Sequence, residues 1–173
     1  MTSPSRRLFV LDANVFITAY RSYYAFDLCP GFWDCLLHYF NEGRILSIDR
    51  VRDELVGNVD ELSNWVKDLP EGLFVPSLQE PVTDAYREVI SWVYANDQFS
   101  GQAKDEFSRG ADGWLIAYGI AHDHRLVTLE AYQQNVRRRV PIPNVCERFG
   151  IEHVDTFGML RELDARFGWH PSG

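Results

Sequence analysis

Asp12-Ala13-Asn14 closes the apolar run Leu8-Phe9-Val10-Leu11 and is followed by Val15-Phe16-Ile17. An acid where a buried strand ends lies at the carboxyl edge of a parallel sheet, where open α/β folds place their chemistry. Three further carboxylates, Glu54, Asp112 and Glu130, fall at the start or end of an element and are argued to the same edge. One such acid carries little information. Four in an alternating strand and helix order point to a divalent-cation site, because oxygen-rich sites take Mg²⁺ or Mn²⁺.

Each acid also has an ordinary structural explanation. Asp12 is a natural helix cap, although Asn14 adds a neutral side chain that a simple cap does not need. Glu54 stands four residues after Arg50, so a surface ion pair would account for it. On a helical wheel, however, Glu54 lies about 60° from Val51 and about 100° from Leu55, flanking the buried stripe, while Asp53 points roughly opposite. Asp112 is the lone charge from Ala111 to Ala121. As a first-turn acid it would contribute ~0.3–1 kcal/mol against the helix dipole. Glu130 follows Leu126-Val127-Thr128-Leu129, and at period two Leu126, Thr128 and Glu130 share a face, which brings a hydroxyl and a carboxylate out together.

The elements that must carry these residues alternate. Leu8 to Leu11 reads as a strand buried on both faces. A loop rich in Tyr20, Tyr23, Tyr24 and Phe26 follows, then a helix with Phe32, Trp33, Leu36, Leu37 and Phe40, ended by Asn41-Glu42-Gly43. Arg44 to Ile48 is a second strand, with Asp49 opening a helix that carries Val51 and Leu55. A short helix from Val59 to Lys67 and a strand at Leu73 to Val75 come next. Pro81 suits the first turn of a helix with the stripe Val82, Ala85, Tyr86, Val89, Ile90 and Val93. Residues 96–110 are polar and read as a loop. Ala111 to Ala121 is a helix apolar nearly all round, hence central. Leu126 to Leu129 and Ile151 to Val154 read as strands, and Phe157, Leu160, Leu163 and Phe167 mark a closing helix. This order predicts one three-layer α/β domain over residues 1–173, with a mostly parallel central sheet flanked by helices.

A hydrophobic content of 46% indicates a folded chain rather than a disordered one. Asp12 interrupts the first apolar stretch too early for a signal-peptide core, and no run approaches a membrane span. Cys29, Cys35 and Cys146 lack metal-ligand spacing, so reduced thiols and a cytoplasmic location are expected. A net charge of −8 argues against a nonspecific polyanion binder. It leaves room for a nuclease, whose clustered acids contribute to that charge, and for a basic protein partner.

In order along the chain, these residues resemble a PIN-domain ribonuclease. Leu8-Phe9-Val10-Leu11-Asp12-Ala13-Asn14-Val15-Phe16-Ile17 is similar to the family's opening "LDTNVLI" pattern. Glu54-Leu55 matches its "Glu-Leu" element, Ala111-Asp112 with Ile116-Ala117 its "AD…IA" helix, and Val127-Thr128-Leu129-Glu130 its "VTxD" strand end, with Glu in place of Asp. The segment Tyr23-Tyr24-Ala25-Phe26-Asp27-Leu28-Cys29-Pro30-Gly31-Phe32-Trp33 resembles one branch of PIN-like proteins. The resemblance implies Mg²⁺- or Mn²⁺-dependent hydrolysis of RNA. It also implies the role of a VapC-like toxin with a cognate antitoxin, and a homodimer is compatible with it.

On this reading Asp12 is the central ligand, with Glu54 and Asp112 sharing its sphere. Glu130 holds a second ion or its water, and Asn14 and Thr128 orient the shell. Without a cation, such crowded carboxylates should raise one another's pKa. Arg137-Arg138-Arg139 is a candidate contact for RNA phosphates, with plain solvation the alternative. The Tyr20 to Trp33 aromatics are expected in the core, and Asp105 and Glu106 stand outside the acid set. Two other functions compete. A haloacid-dehalogenase-like phosphatase would use Asp12 as nucleophile, but that family wants Asp where Asn14 stands and needs a catalytic lysine motif. A noncatalytic PIN-like binding scaffold would not need all four acids.

Overall fold

Short apolar segments form the strands; those at Phe9–Leu11 and Ile45–Ile48 run directly into the starts of helices, while a non-helical stretch over 128–141 follows the one at Arg125–Val127. The computed structural model describes residues 6–171. Its strands are β1 (Phe9–Leu11), β2 (Ile45–Ile48), β3 (Phe74–Val75), β4 (Arg125–Val127) and β5 (His153–Val154). They form one five-stranded sheet in the order β3-β2-β1-β4-β5, with every neighbouring pair parallel. β1 is central and buried along its length, as a parallel strand covered on both faces must be.

The helices are α1 (Ala13–Thr18), α2 (Pro30–Asn41), α3 (Asp49–Val56), α4 (Glu61–Lys67), α5 (Glu80–Ala95), α6 (Gly101–Arg109), α7 (Asp112–His122), α8 (Ile142–Phe149) and α9 (Thr156–Glu162). From β1 the chain steps outward to β2 and β3, then returns past β1 to β4 and β5. Right-handed crossovers therefore place α1–α4 on one face and α5–α8 on the other. The packing agrees: α1 meets α3 and α3 meets α4, while α5 and α8 both pack on α7. The strand order reverses between β1 and β4, and a crevice opens at the carboxyl ends of strands at such a switch point.

Three expectations change. Residues 96–110 are not a continuous loop, since α6 occupies Gly101–Arg109. Ser100 caps it by accepting from the Ala103 N–H, and Ala103 and Phe107 bury an i,i+4 pair that a polar average hides. The aromatic loop after β1 begins as helix: a π-helical turn over Ala19–Tyr23 continues α1. Finally, Phe157 and Phe167 are 49% and 41% exposed and leave the closing stripe to Met159, Leu160 and Leu163. Helix α8 had no counterpart among the expected elements. It begins at Pro141-Ile142-Pro143, and proline at a first turn is its start signal.

Most aromatics after β1 pack inward, with Tyr23, 70% exposed, the exception. Tyr24 stacks on Phe32 at 4.3 Å and Phe26 on Trp33 at 4.2 Å, with Trp65 edge-on to Trp33. Among the described residues no helix is long and apolar enough to cross a membrane.

Candidate active site

Backbone hydrogen bonds fix where β1 stops. The Asp12 N–H donates to the Val127 carbonyl at 2.9 Å, and the buried Ser47 hydroxyl donates to the Leu11 carbonyl at 2.6 Å. Asp12 thus leaves the sheet at the β1/β4 switch point, 3% exposed, with extended backbone before α1. Its carboxylate does not cap that helix. It accepts instead from the Thr128 hydroxyl at 3.1 Å, just beyond β4. The capping explanation of Asp12 therefore fails, and its carboxylate pairs instead with Thr128 across two adjacent strand ends.

Asp112 arrives by close packing. It begins α7, and a Cβ on the next residue, Gly113, would stand 3.0 Å from Tyr86 and 3.1 Å from Phe107. Glycine there lets the start of α7 seat against α5 and α6. Asp12, Asn14, Glu54 and Asp112 line one cleft of about 600 Å³, together with Arg50, Asp53, Arg109, Gly110 and Ala111.

The electrostatics of the cleft follow from burial and crowding. Desolvation raises Asp12 from its ordinary 3.8 to about 7, helped by the charges of Glu130 and Glu54 and opposed by the Thr128 hydroxyl. Asp112 rises to about 8, again mainly by desolvation, with Asp12, Glu130 and Glu54 adding to it and Arg139 opposing it. A helix dipole would move Asp112 the other way, by less than about one unit. Dipole stabilisation is therefore the smaller effect at this residue. Desolvation also raises Glu54. Asp53, expected to point away from the site, also lies along the cleft, and both it and Glu54 keep solvent contact. Only Glu54 of the two adds its charge to Asp12 and Asp112.

Glu130 stands outside the lining of the cleft but adds its charge to both aspartates. β4 ends at Val127, so period-two alternation no longer applies at residues 128–130. The Glu130 N–H turns back to donate to the Thr128 hydroxyl at 3.2 Å. Its carboxylate is held by the Arg139 guanidinium and by the Ile142 N–H at 2.8 Å, outside the lining of the cleft. Arg139 thus pairs with an acid rather than standing free, while Arg137 and Arg138 form no ion pair among the described residues.

Among the described residues no three His, Cys, Asp or Glu side chains already stand close enough to hold an ion directly. The donor set nevertheless fits Mg²⁺ or Mn²⁺. Mg²⁺ keeps several of its waters and is held through one or two carboxylates, and the buried Asp12 and half-buried Asp112, crowded in one cleft, are what a cation would relieve. The histidines lie elsewhere: His124 Nδ1 accepts from the Leu8 N–H, at the opposite end of β1. Asp105 accepts from the Tyr94 hydroxyl and Glu106 from Gln102, both away from the cleft.

Sequence reasoning missed Arg50 and Arg109 as cleft residues. Arg50 was legible only as a partner for Glu54, and that pair does not form among the described residues. Its guanidinium lies 4.1 Å from the Trp114 ring centroid instead.

Fold and site together define an all-parallel α/β protein with an acid-lined cleft at its topological switch point. The chain belongs to the family described as Domain of unknown function (DUF4411), whose model matches residues 9–167. No curated protein matches it.

Proposed function

We infer that the protein is a Mg²⁺- or Mn²⁺-dependent ribonuclease of the PIN-like type. The observation that carries this reading is the cleft at the β1/β4 switch point, where Asp12, Glu54 and Asp112 meet with Asn14 at the rim. Asp12 and Asp112, the two most deeply desolvated acids, are the groups to hold the cation, with Glu54 completing the set. When bound, such an ion supplies Lewis acidity at a phosphodiester and a more acidic water.

The remaining work belongs to the chain. Thr128 donates to Asp12 and thereby fixes which carboxylate oxygen faces the cleft. Asn14, exposed at the rim, offers a neutral amide to orient a water without adding charge. Glu130, braced by Arg139 and Ile142, acts from outside the lining as a fixed negative charge on both aspartates. The sequence resemblance extends the reading to a toxin with a cognate antitoxin. Three free cysteines, Cys29, Cys35 and Cys146, suit work in the cytoplasm.

The test is cleavage of single-stranded RNA by purified protein with Mg²⁺ or Mn²⁺ and its loss in EDTA. Cleavage that survives full chelation would remove the metal from the mechanism.

A further inference from the structure

Arg50 stands one helical turn before Glu54, in a cleft lined by carboxylates, yet it pairs with none of them. Among the described residues it forms no ion pair. Two contacts hold it elsewhere. Its guanidinium lies over Trp114, 4.1 Å from the ring centroid, and Trp114 is itself stacked on Tyr86 at 4.0 Å and 10°. Its Nε donates to the Ser77 hydroxyl at 3.1 Å. Ser77 is fully buried and is fixed in turn, because its N–H donates to the same Asp49 oxygen that accepts the Arg50 N–H.

A guanidinium with one flat face on indole and its Nε engaged has lost the freedom to swing toward Glu54. Its two terminal nitrogens have no protein acceptor among the described residues, and the residue lines the same cleft as Asp12, Glu54 and Asp112. A planar, weakly hydrated cation presented in this way matches the oxygens of a phosphate in fork geometry. Trp114 is covered by Arg50 on one side and Tyr86 on the other, which leaves no free face to stack a base.

Resting on the ribonuclease reading, we propose that Arg50, presented by Trp114 and Ser77, is a substrate-binding residue that grips the RNA phosphate next to the cleaved bond.

The test is steady-state cleavage of a short single-stranded RNA in Mn²⁺ over a salt series. Arg50→Gln is expected to lower kcat/KM roughly 10- to 100-fold, chiefly through KM, as loss of a charged hydrogen-bonded contact does. The slope of log kcat/KM against log salt should become shallower by about 0.7, the value for one phosphate contact on a single strand. Arg50→Lys, which keeps the charge without the planar fork, should restore the slope but not the full rate. If wild type cleaves with metal while Arg50→Gln stays within about twofold of it at unchanged slope, the Arg50 assignment is overturned and the nuclease reading stands. If wild type does not cleave RNA with either ion, the nuclease reading falls and the Arg50 assignment with it.

A substrate series with one neutral methylphosphonate linkage at a time removes dependence on the folding of Arg50→Gln. Wild type should lose roughly tenfold at one linkage beside the cleavage site, and Arg50→Lys should lose less there. Equal sensitivity at every linkage overturns the assignment.

Discussion

Removing the charge of Asp12 should stabilise the metal-free protein at alkaline pH. Burial and neighbouring carboxylates raise Asp12 from 3.8 to about 7. In the folded state it keeps its proton to about pH 7, whereas in the unfolded chain it releases it near 3.8. The stability linked to that proton is fully present below pH 3.8, declines as pH rises from there to 7, and is gone above. A shift of this size corresponds to at most about 4 kcal/mol, less where Asp12 and Asp112 share the cost of ionising together. Asp12→Asn carries no such penalty, keeps an oxygen to accept from Thr128, and removes one of the charges that raise Asp112. Urea unfolding in EDTA should therefore show the variant more stable than wild type by roughly 2–4 kcal/mol at pH 8, with the gap closing to under about 1 kcal/mol at pH 4. Mn²⁺ at about 100 times its Kd should then stabilise wild type by about 2.7 kcal/mol and the variant by much less. Parallel pH profiles for the two proteins would refute the burial argument.

Glu54→Gln should abolish RNA cleavage at unchanged melting temperature while Asp53→Asn changes it little, because of these two neighbours Glu54 alone couples to both aspartates; equal losses would show that position in the cleft, not charge coupling, selects the residue. Glu130→Gln should cost roughly 1–3 kcal/mol in urea unfolding, since it weakens the brace to Arg139 and Ile142. Loss of activity without loss of stability would instead return Glu130 to the ligand set. Titration calorimetry of Asp12→Asn should show a lost or weakened Mn²⁺ isotherm, and wild type should trap no phosphate on Asp12. A phospho-aspartate there would replace the nuclease by a phosphatase.

The parts of this architecture that could be read from sequence are those fixed by local pattern. Asp12 was legible because a four-residue apolar run ends in an acid, and burial of β1 on both faces follows from the same run. Asp112 was legible as the lone charge on an otherwise apolar helix. The path of the chain to Glu130 could not be read from alternation, because strand length is set by pairing: β4 pairs with β5 only at Leu126 and Val127, so alternation stops before Thr128. Helix α6 was hidden because its buried stripe is only Ala103 and Phe107. Arg50 could not be placed at all, since its partner Trp114 lies on an element that meets it only through the fold.

An acidic cleft in a chain of net charge −8 poses a physical problem for any polyanionic substrate. Repulsion between a phosphodiester and the four cleft carboxylates, Asp12, Asp53, Glu54 and Asp112, is the dominant long-range term, and salt screens it only beyond about 10 Å. Two features of the cleft act against that repulsion. Raised pKa values leave Asp12 and Asp112 partly protonated near neutrality when no cation is bound. Arg50 and Arg109 stand in the same lining. A cation would displace the protons and hold the acids ionised, while the arginines supply positive charge that the acids do not consume. Had Arg50 paired with Glu54, as the i,i+4 spacing invites, both functions would have been lost: Glu54 would be neutralised as a donor, and the guanidinium would be spent. The Trp114 stack and Ser77 prevent that pairing, so acid and base can share one cleft without cancelling.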